Sequence, residues 1–192
     1  MKKINSKGFT LIELLAVITI MGILMLVAIP AVSRTIENSR RDTFADVAKT
    51  YINTVRNAVT ADELECTVGS DTVSVGATEA GDYYFALDSA SSQNTKDLME
   101  SGGKSSWGNN DVKGYVAWTK TASGSGFKTE YSVVLVDKAN HGVVASDGTA
   151  VAEKDVTRSK VLLNTSSIKA YGTGSFVPAN TADKTYKVCT LK

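Results

Sequence analysis

The chain has 192 residues, of which 43% are hydrophobic and 21% charged, with a formal net charge of +1. That length suits one compact domain with an appended segment and argues against two large domains. The near-neutral balance supplies no basic footprint for nucleic acid, and no specific nucleic-acid partner is expected.

The first eight residues, Met1 to Gly8, are short, polar and basic, with Lys2, Lys3 and Lys7. Without those three lysines the 21 basic residues fall to 18 against 20 acidic ones, a balance of −2. Phe9-Thr10-Leu11-Ile12-Glu13 follows, and then an uncharged run from Leu14 to Ser33. Twenty residues at helical rise span about 30 Å, the hydrocarbon thickness of a bilayer. Lysines ahead of such a span predict a cytoplasmic amino terminus and an outside location from about residue 34 onward. A secretory signal peptide would have a shorter apolar stretch and a small-x-small cleavage site after it, and no Ala-x-Ala follows here. A single-pass anchor accounts for the hydropathy alone.

Glu13 does not fit a plain anchor. It is the only charge between Lys7 and Arg34 and lies one turn inside the apolar run. A carboxylate in hydrocarbon costs about 2.5–3.5 kcal/mol on insertion scales, and such residues are functional by default. Its cheapest partner is a cation at the same depth. A cut after Gly8 would give Phe9 a positive α-amino group four residues from Glu13, able to reach the Glu13 of an adjacent copy docked in register. Such a pair specifies register more than it adds stability.

Lys7-Gly8-Phe9-Thr10-Leu11-Ile12-Glu13-Leu14 resembles the class III signal of type IV pilins and the related pseudopilins. The resemblance covers about residues 7–30. It implies cleavage between Gly8 and Phe9 by a prepilin peptidase, methylation of the new amine of Phe9, and Glu13 as the assembly glutamate. Gly22 and Pro30 match family positions that bracket a stretch of helix able to melt in assembled filaments. Chemistry agrees, because glycine weakens a helix interior by about 1 kcal/mol and proline removes a backbone donor. Membrane helices also tolerate both residues. The implied partners are further copies in a helical homopolymer, the prepilin peptidase, an assembly platform with its ATPase, and the cell membrane before assembly. The implied fold is α+β, a long helix packed against a small antiparallel sheet. No cofactor, metal or enzymatic activity is implied.

From Ser33 to Leu64 the pattern becomes amphipathic. Phe44, Val47, Ala48, Tyr51, Ile52, Val55, Ala58 and Val59 recur at spacings of three and four. One helix is expected from about Thr10 to Leu64. The divisions expected are a leader at 1–8, an apolar half-helix at 9–32, an amphipathic half at 33–64 and a head at 65–192. Arg34, Arg40 and Arg41 beside Glu37 read as a solvated face, with anchoring near headgroups or pairing between neighbouring subunits as the alternatives.

After residue 65 the composition shifts to Gly, Ser, Thr and Asp with short β-like runs. Asp82–Leu87 reads as a strand or a buried turn, and Thr95–Ser101 as a short helix. Lys113–Lys120 and Lys128–Asp137 read as strands joined by a Gly/Ser turn, His141–Ser146 as a third, and Lys184–Leu191 as a closing strand. The expectation is a meander of three or four antiparallel strands with one face on the helix.

Cys66 and Cys189 are the only cysteines, too few for a thiolate zinc site. They are either buried thiols or one disulfide, and an outside location favours the disulfide. Family members often bridge a shorter carboxy-terminal loop, so adhesive functions carried there do not transfer. His141 reads as a turn or surface residue, and Asp137, Asp147 and Asp155 as loop solvation rather than calcium ligands. The functions left open are a pilus subunit, a pseudopilin of a secretion or DNA-uptake system, and a membrane-anchored binding domain.

Overall fold

The computed structural model describes residues 8–68, 71–74, 80–88, 105–108, 112–163, 168, 176–178 and 185–192. The expected helix at Thr95–Ser101 lies outside these residues. Helix α1 spans Leu11–Thr60. The chain divides into two compact units, residues 1–39 and 40–192.

In the first unit every described side chain is exposed, including Phe9, Leu11, Leu26 and Val27. One 18-residue window of α1 has a mean hydropathy of 2.7, and none of it is buried. The helix is long and apolar enough to cross a membrane.

The second unit begins with the amphipathic part of α1. Phe44, Ala45, Ala48, Tyr51, Ile52, Val55 and Ala58 form its buried face, the stripe that a 3.6-residue period predicts. The helix ends at Thr60, four residues earlier than expected. Asp62 adopts a positive φ of 58° and the Glu63 N–H bonds the Ala58 carbonyl at 2.9 Å. This left-handed turn ends the helical ladder, and Leu64 starts the first strand.

The described strands are β1 (Leu64–Val68), β2 (Asp71–Ser74), β3 (Gly81–Asp88), β4 (Val112–Ser123), β5 (Gly126–Asp137), β6 (His141–Val143), β7 (Val151–Ala152), β8 (Val161–Leu163) and β9 (Tyr186–Leu191). Two 3-10 turns, η1 (Glu153–Asp155) and η2 (Arg158–Lys160), lie between β7 and β8. All nine strands form one sheet in the order β2-β1-β9-β3-β4-β5-β6-β8, with β7 also on β5. The expected meander of three or four strands is therefore too small. It also misplaces β9, which sits between β1 and β3, antiparallel to the first and parallel to the second. Strands as short as β2 (Asp-Thr-Val-Ser) and β7 (Val-Ala) hold too few residues for a hydrophobic alternation to be read from the sequence.

Each face of the sheet has its own core. Phe85, Val116, Trp118, Val133, Leu135 and Cys189 pack with the buried face of α1. Tyr115, Ala117, Val134 and Val136 on the opposite face pack with Val144, Ile168 and Phe176. Residues 115 to 118 are thus all buried, because both faces of β4 are covered. At Gly114 a Cβ would lie 1.9 Å from the Val134 carbonyl oxygen, so only glycine admits this close strand approach.

Candidate functional site

Within the first unit the geometry centres on Thr10 and Glu13. Thr10 caps α1. Its N–H and its hydroxyl both donate to Glu13 Oε2 at 2.8 Å, and the Glu13 N–H donates to Thr10 Oγ1 at 3.3 Å. This reciprocal arrangement is a capping box, which satisfies orphan donors of the first helical turn. Sequence reasoning paired Glu13 with the Phe9 amine, of the same or an adjacent copy, and missed this bond to Thr10. The signal that would have revealed the capping role is Thr-x-x-Glu ahead of an apolar run. Among the described residues Glu13 Oε1 has no partner, so half of the carboxylate's acceptor capacity stays open. The carboxylate also sits at the positive end of the helix dipole, which favours its charge.

Gly8 and Phe9 precede this cap, and the Phe9 side chain is 90% exposed. A Cβ on Gly8 or on Gly22 would meet nothing within 4 Å. Neither glycine is demanded by packing in the isolated chain. Pro30 lies inside α1, which continues through it. Its missing N–H leaves the carbonyl one turn earlier without that helical donor.

In the second unit the functional candidates are structural clamps. Cys66 and Cys189 form a disulfide and are direct partners in the β1–β9 register. Beside it, Lys192 Nζ pairs with Asp62 at 2.9 Å and the Lys192 N–H bonds the Glu63 carbonyl at 2.9 Å. Two further ion pairs tie α1 to the η1–η2 segment: Arg56 with Glu153 at 2.5 Å, and Asp42 with Arg158. The Arg56 guanidinium also lies over the Tyr131 ring, 4.7 Å from its centroid. The hydrogen bond to Arg158 holds the Asp42 carboxyl below its ordinary range.

Two sequence expectations need correction here. His141 is not a free surface residue: it opens β6, its Nδ1 lies 2.9 Å from Asp137 Oδ2, and its ring stacks on Trp107 with centroids 4.2 Å apart. Asp137 is not a solvated loop residue, being fully buried. Its carboxylate accepts the Ser105 hydroxyl at 2.5 Å and the N–H groups of Ala139 and His141 at 2.9 and 2.8 Å. A serine, an aspartate and a histidine meet, yet Ser105 bonds the aspartate and not the imidazole. The imidazole of a Ser–His–Asp relay is not placed between the hydroxyl and the carboxylate, so the arrangement fastens a loop and does not have the order of a nucleophilic triad. Positive φ at Asn140 (61°) turns the chain back around the carboxylate.

Residues 3–29 match the family described as the prokaryotic N-terminal methylation motif. The amino terminus therefore carries the class III signal peptide found on type IV pilins and pseudopilins. No curated protein and no solved structure matches the chain.

Proposed function

We propose that this chain is the structural subunit of a type IV pilus, supporting adhesion, aggregation or twitching motility. In this reading a prepilin peptidase cuts between Gly8 and Phe9 and methylates the Phe9 amine. The mature helix then leaves the membrane and polymerises with further copies, handled by an assembly platform and its ATPase. The filament ends outside the cell.

One observation carries the reading: a carboxylate, Glu13, stands at the start of a helix whose apolar side chains from Phe9 to Val32 are uncovered. Lipid satisfies the apolar surface before assembly, and neighbouring helices can do so afterward. Neither satisfies the charge. Thr10 occupies Oε2, and the open Oε1 suits the Phe9 amine of an adjacent copy. The absence of any steric need for Gly8 within the chain supports its recognition by an enzyme. Gly22 and Pro30 would let the helix between them lengthen under load, since unwinding raises the rise per residue from about 1.5 Å to over 3 Å.

Mass spectrometry of the cell-derived protein tests the processing: the expected terminus is N-methylated Phe9, and an intact leader would refute it. Electron microscopy of shed filaments labelled for this subunit tests the assembly. Long surface filaments are expected. Short filaments confined to the envelope would instead make the chain a pseudopilin.

A further inference from the structure

Contacts within the second unit define the end of the head at which α1 enters. The Ser106 hydroxyl donates to the Arg40 carbonyl at 2.7 Å, and the adjacent Ser105 hydroxyl donates to Asp137 at 2.5 Å. Trp107 completes the bridge, its ring centroid 5.6 Å from that of Phe44 and 4.2 Å from that of His141. Asp42 pairs with Arg158. Arg40, Arg41, Lys138 and Arg158 are therefore gathered at one end of the head.

Their charge is not balanced there. Four cations stand against Asp42 and the buried Asp137, an excess of +2. Neighbouring charges cancel: Asp46 lies 3.8 Å from Lys49, Asp88 is the strand partner of Lys113, and Lys154 adjoins Asp155. The chain without its three leader lysines carries −2 overall, so this end is basic against an acidic remainder. Arg40 and Lys138 are exposed.

The sequence tethers this end to the apolar run. Arg40 stands seven positions after Ser33, and the two charges between them, Arg34 and Glu37, cancel. Even a fully extended chain keeps Arg40 within about 25 Å of Ser33. A bilayer that takes up the run therefore holds the basic end near its surface, whatever the path between. Tethering gives that surface a high effective concentration that no dissolved polyanion shares. A second copy is a poorer partner, because carboxylates at the far end of the head are already engaged. There Lys128 Nζ lies 2.7 Å from Glu130, and Lys192 Nζ lies 2.9 Å from Asp62.

We propose that the basic end of the head docks on anionic phospholipid headgroups while the subunit is membrane-held. The proposal rests on the membrane-anchored stage of the function given above and not on filament formation. Docking restricts the head to a few orientations before assembly.

The test places the full chain in lipid nanodiscs, which keep copies apart. One set is phosphatidylcholine alone, and the other holds about 30% phosphatidylglycerol, which makes the surface anionic. Both carry a trace of phosphatidylcholine with a nitroxide on its headgroup, and amide NMR reads what approaches it. In anionic discs the amides of Val136 to Asn140 and Thr157 to Lys160 should broaden, and those of the β4–β5 turn at Gly124 to Gly126 should not. The broadening should be weaker in neutral discs and should fade at about 1 M salt, where screening acts over about 3 Å. Each basic residue near an anionic surface multiplies the docked-to-free ratio by about five, so Arg40→Gln/Lys138→Gln should lower it by about 25-fold. If that variant fails to fold, Lys138→Gln alone should lower it about fivefold. Lys120→Gln/Lys128→Gln, at the far end, should leave it unchanged. Equal broadening in both lipids, broadening that survives salt, or an unchanged ratio in the Arg40/Lys138 variant would overturn the proposal. Insertion is read separately, from solvent protection of the Leu14 to Ser33 amides. An inserted chain whose head stays free overturns docking alone, and a chain that does not insert overturns the anchored stage as well.

Discussion

Cys66 and Cys189 face one another across the β1–β9 pair although they stand 123 positions apart in the chain. The bond staples the strand that follows the helix to the strand inserted between it and β3. Since β9 is parallel to β3 and occupies the middle of the order, the sheet is complete only when this late segment has docked.

Removing that staple should weaken the head without erasing its fold. For a loop of this length the chain-entropy argument gives an upper value of about 5 kcal/mol, and measured losses are typically 2–4 kcal/mol. Denaturant unfolding of Cys66→Ala/Cys189→Ala should show a loss in that range. An unchanged midpoint would mean that strand pairing and the Lys192–Asp62 clamp suffice.

Thr10 and Glu13 separate helix capping from assembly. Thr10→Ala should increase amide exchange in the first turn of α1, matching a cap loss of about 1 kcal/mol, while the chain still polymerises. Glu13→Ala should loosen the same turn and also abolish filaments, with cleavage after Gly8 retained. Equal filament yields from the two variants would remove the assembly role of Glu13.

Gly114→Ala should be among the most damaging single-methyl changes in the head. The added carbon would collide with a backbone carbonyl of β5 rather than with a side chain that can rotate. Overpacking of this kind costs about 1–3 kcal/mol or more. Thermal unfolding measures it, with Gly126→Ala, where a Cβ meets nothing within 4 Å, as the control.

Asp137→Ala should destabilise by on the order of 3 kcal/mol, because it strands the Ser105 hydroxyl and two N–H groups in the interior. Ser105→Ala removes one donor and should cost about 1–2 kcal/mol. Trp107 fluorescence should change in both variants, since its backbone N–H bonds Ser105 Oγ and its ring rests on His141.

Acid should loosen the η1–η2 segment. The folded pKa of Asp42 is depressed by Arg158. Its contribution is therefore complete above the unfolded value near 3.9 and disappears as pH falls through the folded one. Both partners are exposed, so the effect is small and salt-sensitive. Exchange at Val156 to Val161 measured between about pH 5 and pH 2 should rise in the native chain and less so in Asp42→Asn.

The amino-terminal half was open to reading because its information is local. A charge inside an apolar run and a 3.6-residue stripe from Phe44 to Ala58 have physical meaning without any distant partner, and the Gly8–Phe9 junction is read through the resemblance of a short contiguous motif. The β4–β5 hairpin was legible for the same reason, as two alternating runs around a Gly/Ser turn. The disulfide between Cys66 and Cys189, expected from the sequence, is formed, but the placement of β9 and the burial of Asp137 depend on pairings across tens of residues. Such pairings are selected by hydrogen-bond register and by which faces become covered when the whole sheet closes. A strand's residues state how it alternates but not which neighbour it will meet, and only the folded arrangement resolves that choice.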